Sequence, residues 1–150
     1  MLIVRAILAL LFISLAGCSS YNLKLQAGKY ANTDGSGKPV SLALHIYQLT
    51  SAAEFQQATF RQLFFQPEQT LKMSLLREKK IFLAPGAERD LKLRLDRRAR
   101  YLGVVADYRL QGRLVWRRLI NVGAFASYFG GSHQLLLGQE GVQCKHSSVG

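Results

Sequence analysis

Tyr21-Asn22-Leu23-Lys24-Leu25-Gln26-Ala27 alternates residue by residue, with Leu23, Leu25 and Ala27 on one side and Asn22, Lys24 and Gln26 on the other. Successive side chains of a strand point to opposite faces, so this period of two predicts a strand with one face buried. Val40, Leu42, Leu44 and Ile46 alternate in the same way with Ser41, Ala43, His45 and Tyr47, which predicts a second strand. Between them lies GKYANTDGSGKP, Gly28 to Pro39, polar and rich in turn formers. The two strands read as a hairpin whose loop exceeds the usual length of about two to five residues, and loops of that length are often functional or mobile.

The same period recurs downstream. Lys80 to Leu83 and Glu88 to Leu95 flank Ala84-Pro85-Gly86-Ala87, where Pro then Gly at the central positions suits a type II turn. Tyr101 to Arg109 and Leu114 to Val122 read as two further strands, and Gln134 to Leu137 with Val142 to Lys145 supplies a last strand or pair. One segment departs from the pattern. Ser51-Ala52-Ala53-Glu54 has the form of a capping box, and Ala53, Phe60, Leu63 and Phe64 follow on one helical face. That predicts a helical insertion over 51–66, stopped before Pro67, with Phe60, Phe64 and Phe65 either fastening it to the sheet or lining a ligand cavity. Gly123 to Ser132 reads as a loop or a second short helix. Many short strands and little helix predict an all-β chain, an antiparallel sandwich, over residues 21–150.

The first residues are of a different kind. Arg5 supplies a basic end, Ala6 to Leu15 is apolar apart from Ser14, and Leu15-Ala16-Gly17 places small residues before Cys18. That order predicts a cleaved secretory signal over residues 1–17. The apolar run is about half the roughly 20 residues a membrane-crossing helix needs. Only Ser19 and Ser20 then separate Cys18 from the first strand.

The formal charge of +11 in 150 residues would suggest nucleic acid in a cytosolic protein. Export removes that partner and leaves anionic headgroups or cell-wall polymers, an acidic protein, or plain solvation. Arg89, Lys92, Arg94, Arg97, Arg98 and Arg100 concentrate the charge around one strand. They form either a docking surface for acidic groups or the charged edge of a sheet kept from pairing with strangers. With two cysteines, of which Cys18 is at the signal, Cys144 has no intramolecular partner and the chain is not a disulfide framework.

No reaction chemistry is apparent. His45, His133 and His146 have no carboxylate at a telling spacing, and no Gly-x-Ser-x-Gly occurs. Cys144 and His146 are two ligands at most, too few for zinc. Asp34-Gly35-Ser36-Gly37-Lys38 lacks the upstream glycine and the following Ser or Thr of a phosphate loop, having Asn32 and Pro39 there. Asn32 and Asp34 also lack calcium-loop periodicity, so turn formation accounts for them better.

In order along the chain, the small-residue site at Cys18, the strand placed at once after it, Pro39-Val40 leading into His45-Ile46-Tyr47-Gln48-Leu49, the segment with Phe55 and Phe60, Leu83-Ala84-Pro85-Gly86, Tyr101 to Arg109 and Trp116-Arg117 resemble the TssJ lipoproteins of type VI secretion systems, also called VasD or SciN. The likeness spans about residues 15–122; past Gly123 the chain is more apolar than the family pattern. The resemblance implies a transthyretin-like sandwich with a helical addition. It implies a diacylglyceryl and an N-acyl group on Cys18 and no other cofactor. Ser19 after the cysteine implies the periplasmic face of the outer membrane. It further implies no enzyme but a tether, which with TssL and the IcmF-type protein TssM forms an envelope-spanning complex. The loop between strands one and two is the family's contact with TssM, which puts Lys29, Tyr30, Asn32, Asp34 and Lys38 forward as partner-binding residues.

Overall fold

The computed structural model describes residues 1–4, 19–110, 112 and 114–145. Cys18, expected to be lipidated, most of the expected signal segment and His146 lie outside the described residues. Among the described residues there are eight strands: β1 Tyr21–Ala27, β2 Leu42–Leu49, β3 Leu75–Leu83, β4 Glu88–Leu93, β5 Tyr101–Asp107, β6 Arg117–Asn121, β7 Gly131–Gly138 and β8 Gly141–Lys145. They form two four-stranded sheets, ordered β4-β1-β7-β8 and β3-β2-β5-β6. Every pair is antiparallel except β1 with β7, which runs parallel with Leu23 opposite His133.

The alternation of β1 is realised in full. Tyr21, Leu23, Leu25 and Ala27 are buried while Lys24 is exposed. These side chains meet Leu42, Leu44 and Ile46 of β2 and Leu102, Val104 and Ala106 of β5 in the core between the sheets.

β1 and β2 do not form a hairpin. They lie in opposite sheets, and the chain over 28–41 crosses the gap between them. At the same end Ala84 to Ala87 makes a crossing from β3 to β4 alone, closed by the Ala87 amide on the Ala84 carbonyl at 3.0 Å with Gly86 at φ +75°. That is the type II turn the Pro-Gly pair predicts. Most of 28–41 is therefore surplus to the crossing.

The face of β2 that reads as polar is also buried. His45, Tyr47 and Leu49 lie under helices on the outer side of the second sheet. This helical layer is longer and more broken than the insertion expected at 51–66. It comprises α1 Ala53–Gln57, α2 Phe60–Phe65, α3 Pro67–Leu71 and a 3-10 turn Lys72–Ser74. Ser51 Oγ accepts from the Ala53 amide at 3.3 Å, but the α1 cap position is Ala52, which makes no side-chain cap. The reciprocal capping box opens the next helix: Thr59 Oγ1 accepts from the Gln62 amide at 3.3 Å and Gln62 Oε1 from the Thr59 amide at 2.9 Å. It restarts the helix after Ala58 adopts extended geometry. α2 ends at Phe65, before Pro67 as expected, and Pro67 then opens α3, where its missing N–H is harmless.

Arg117 closes the free end of α1 by donating to the carbonyls of Phe55, Gln56 and Ala58 at 2.9, 2.7 and 2.6 Å. A guanidinium is well suited to the orphan carbonyls that end a helix. Phe55, Leu63 and Leu71 are fully buried beneath the layer, each contributing roughly 1.5–3 kcal/mol. Phe55 reaches its place because Gly103 of β5 carries no side chain: a Cβ there would stand 2.5 Å from Phe55 Cε2.

The substitution Gly103→Ala is expected to destabilise the domain by about 1–3 kcal/mol, read as a lower urea midpoint, with part recovered when Phe55→Leu is added. An unchanged midpoint would show that the ring does not depend on that vacancy.

Candidate functional site

The surplus chain over 28–41 forms a small hairpin of its own. Thr33 and Pro39 bridge, Val40 donates to the Asn32 carbonyl at 3.0 Å, and Asp34 donates to the Lys38 carbonyl at 2.9 Å. The tip turns at Gly37, with φ +81°. Asp34 Oδ1 accepts from Ser36 N, Ser36 Oγ and Lys38 N at 2.9, 2.7 and 2.9 Å. These bonds, led by that from the Ser36 hydroxyl, hold the Asp34 carboxyl below its ordinary range. An Asp that folds its side chain onto the next amides is a turn former.

The five residues put forward for partner binding divide in two. Lys29, Tyr30 and Lys38 are exposed, and Lys29 Nζ stands 5.4 Å from the Tyr30 ring centroid. Asn32 faces inward instead and is buried. Its Nδ2 donates to the Ser41 carbonyl at 3.0 Å and its Oδ1 accepts from the Arg109 amide at 2.9 Å. Asn32 is thus a bracket between the loop and the end of β5, and Asp34 shapes the tip. Two open clefts flank the loop. One of about 250 Å³ runs from Tyr30 and Thr33 to Tyr108, Leu110 and Leu114. The other, about 370 Å³, lies between Gly28 and the β7–β8 turn.

Elsewhere the candidate groups prove structural. Phe60 and Phe64 stack at 5.1 Å, Phe60 meets Trp116 edge-on at 5.4 Å, and Phe64 stacks on His45 at 4.0 Å. These two rings fasten the helical layer to the sheet, while Phe65 is exposed. Tyr47 donates to the Leu63 carbonyl at 2.6 Å and accepts from His45 Nδ1 at 3.0 Å, with Glu78 Oε1 at 3.3 Å from the same nitrogen. Burial, aided by the nearby Lys80 charge, holds the His45 pKa down to about 4. His133 bonds the Tyr21 hydroxyl, whose pKa burial pushes up to about 12. Burial likewise raises the Cys144 thiol, which packs against the core. Among the described residues no three His, Cys, Asp or Glu converge as metal ligands.

The basic cluster is single in sequence and split in space. Arg89 and Lys92 lie on β4, an edge strand, as the charged-edge reading requires. Arg94, Arg97, Arg98 and Arg100 lie in the linker from β4 to β5, at the end of the sandwich opposite the loop. Sequence reasoning missed Arg117 as a helix cap, and it missed the exposed rings of Phe125, Tyr128 and Phe129 around a short helix, α4 Ala126–Phe129. Their spacing of three and four residues was the available signal.

Comparison with known proteins decides the family. The profile described as type VI secretion lipoprotein (VasD, EvfM, TssJ) matches residues 19–136. The chain belongs to the TssJ family. Among solved structures, TssJ1 of Pseudomonas aeruginosa, a T6SS lipoprotein, matches with TM-score 0.76 and 27% identity over 86% of this chain and 98% of that one. Lip of Serratia marcescens, a membrane-bound component of the type VI secretion system, matches with TM-score 0.76 and 25% identity over 85% and 98%. A chain from a structure described as "Type VI membrane complex" shares the fold at TM-score 0.74 and 22% identity over 85% and 98%. Comparison with curated proteins finds no match. The TssJ-family sandwich expected from sequence is present, with its crossing loop and helical layer.

Two outcomes test this geometry. Asn32→Ala is expected to cost about 1–3 kcal/mol, the usual penalty for orphaned buried partners, and to speed hydrogen exchange at the Arg109 and Val40 amides; unchanged exchange at both would remove the bracket. His45 is neutral when folded and titrates near its ordinary 6.5 when unfolded. The unfolded state then binds the extra proton between these values. Stability should be complete above about pH 6.5 and fall as the pH drops toward 4. Thermal melts across that range should flatten in part in His45→Gln, and an identical slope would assign the loss to other groups.

Proposed function

We propose that this chain is the outer-membrane lipoprotein of a type VI secretion membrane complex, acylated on Cys18 and holding the periplasmic domain of TssM with the tip of loop 28–41. The carrying observation is the separation of ends. The chain enters at Tyr21, and seven residues of β1 rising about 3.3 Å each lift the loop roughly 20 Å from that entry. A lipid at Cys18 and a partner at the loop therefore do not compete for space. The loop is already folded by its own hydrogen bonds, so a partner does not have to order it, which lowers the cost of binding.

TssM comes forward as the partner because a chain of like fold, at TM-score 0.70 and 22% identity over 83% of this chain and 99% of that one, belongs to a structure described as the TssM C-terminal domain from EAEC. Assembly with TssL follows from the family resemblance. The contact residues are Lys29, Tyr30 and Lys38, with Asn32 and Asp34 holding them in place. Tyr30 is the anchor, a large ring at the mouth of the 250 Å³ cleft.

The test is a variant carrying Lys29→Glu, Tyr30→Ala and Lys38→Glu. All three side chains are exposed, so folding and acylation should be unchanged, while affinity for the TssM periplasmic domain falls by about tenfold or more. Recovery of the complex at wild-type yield would overturn the loop assignment. Mass spectrometry of the mature protein reads the anchor separately: an unmodified Cys18 would overturn that part alone.

A further inference from the structure

Ser19 is held to the domain by its hydroxyl, which donates to the Ser127 carbonyl of α4 at 2.8 Å. The turn after α4 presses on the same stretch, since a Cβ at Gly130 would stand 2.6 Å from the Ser20 carbonyl oxygen. Around this contact three large side chains point outward: Phe125, Tyr128 and Phe129 are 67%, 53% and 82% exposed. No charged residue occurs from Val122 to Gly131. Beside the rings runs the linker Arg94 to Arg100, with four arginines against the single Asp96. Asp96 is engaged by Arg98 at 3.1 Å, and the Arg97 guanidinium stands 5.8 Å from the Tyr128 ring. An aromatic knob bordered by cations is thus built where the chain enters the domain.

Distance says what covers it. Cys18 is bonded directly to Ser19, and consecutive Cα atoms lie about 3.8 Å apart, so an acylated Cys18 stands within roughly 10 Å of α4. Aromatic rings favour the headgroup level of a bilayer, apolar faces settle about 5–10 Å into the headgroup–acyl boundary, and arginines are drawn to anionic lipid phosphates. All three components occur on one surface at the entry point. We infer that Phe125, Tyr128 and Phe129, bordered by Arg97, form a second membrane contact that seats in the interfacial layer of the bilayer carrying the lipid and fixes the angle at which the sandwich stands. This rests on the reading of Cys18 as lipidated. It adds a protein surface, not a lipid chain, as the element that sets orientation.

The experiment uses the full acylated protein reconstituted into vesicles of phosphatidylethanolamine with a minority of phosphatidylglycerol, some acyl chains brominated just below the glycerol. Phe129→Trp places a reporter on the knob, and Leu110→Trp places one on an exposed site at the opposite end; Trp116 is a background common to both. Flotation with the vesicles reads the lipid anchor. Emission from Phe129→Trp is expected to shift to shorter wavelength and to be quenched at least about twofold more than that from Leu110→Trp, as a ring at the headgroup–acyl boundary requires. Floating protein with equal quenching at the two sites overturns the second contact and leaves the anchor standing. A blue shift without quenching means that a protein surface covers the knob, and also overturns it. Protein that does not float overturns the anchor, and the second contact with it.

Discussion

β2 has no free face, and the rest of the domain is arranged around that constraint. Leu42, Leu44 and Ile46 enter the core between the sheets, while His45, Tyr47 and Leu49 face the other way and are just as deeply buried. A sandwich strand ordinarily presents one of its faces to water. Here the second face needs a cover, and the helical layer supplies it through Phe55, Leu63 and Leu71. The polar atoms on that face cannot be left unpaired, because a buried hydroxyl or imidazole without a partner costs more than its hydrogen bond returns. Hence the Tyr47 hydroxyl spans from the His45 ring to the Leu63 carbonyl, and the helical layer is tied to the strand at its centre as well as by burial.

This two-sided burial makes the domain stiff between its ends. α1 to α3 brace the second sheet, Arg117 ties α1 to β6, and Asn32 ties the loop to the end of β5. A load applied at the loop therefore passes through packed strands to the entry at Ser19 with few soft elements in between. Close-packed interiors deform little and transmit strain. For the proposed tether such stiffness would count for more than a deep pocket, and the clefts beside the loop are open.

Much of this was legible in the sequence, and the losses have physical causes. β1 was readable because its outward residues are polar and its inward ones apolar, and the Pro85-Gly86 turn because a positive φ needs glycine. The buried outer face of β2 was not readable: His45 and Tyr47 are amphipathic residues that look solvated until something is placed over them. The helical layer was found but misdivided, since Pro67 both ends one helix and begins another, and only the surrounding backbone decides between the two. The parallel seam of β1 with β7 joins residues more than a hundred positions apart, which no local pattern reports. Lys29, Tyr30 and Lys38 were found on the loop because the loop itself stands out by length. Asn32 stood with them in sequence, yet its side chain turns inward to carbonyl and amide partners that are not adjacent in the chain.

A lipid on Cys18, as proposed, would leave one question of mechanics open, and the entry end of the fold addresses it. Acyl chains fix a point and not a direction: a rigid body attached through Ser19 and Ser20 alone would pivot freely, and its loop would sweep an arc instead of facing the proposed partner. Ser19 is nevertheless held to α4, so on the proposed reading the pivot lies ahead of Ser19 and not within the domain. A second contact beside a fixed point removes most of the remaining rotation, whatever its strength as an isolated binder, because the anchor holds it at a high effective concentration. Weak interfacial rings and screened arginines are enough for that task. On the proposed reading, the split of the basic cluster and the closeness of α4 to the entry have one explanation: the end that would carry the lipid also carries the surface that would aim the loop.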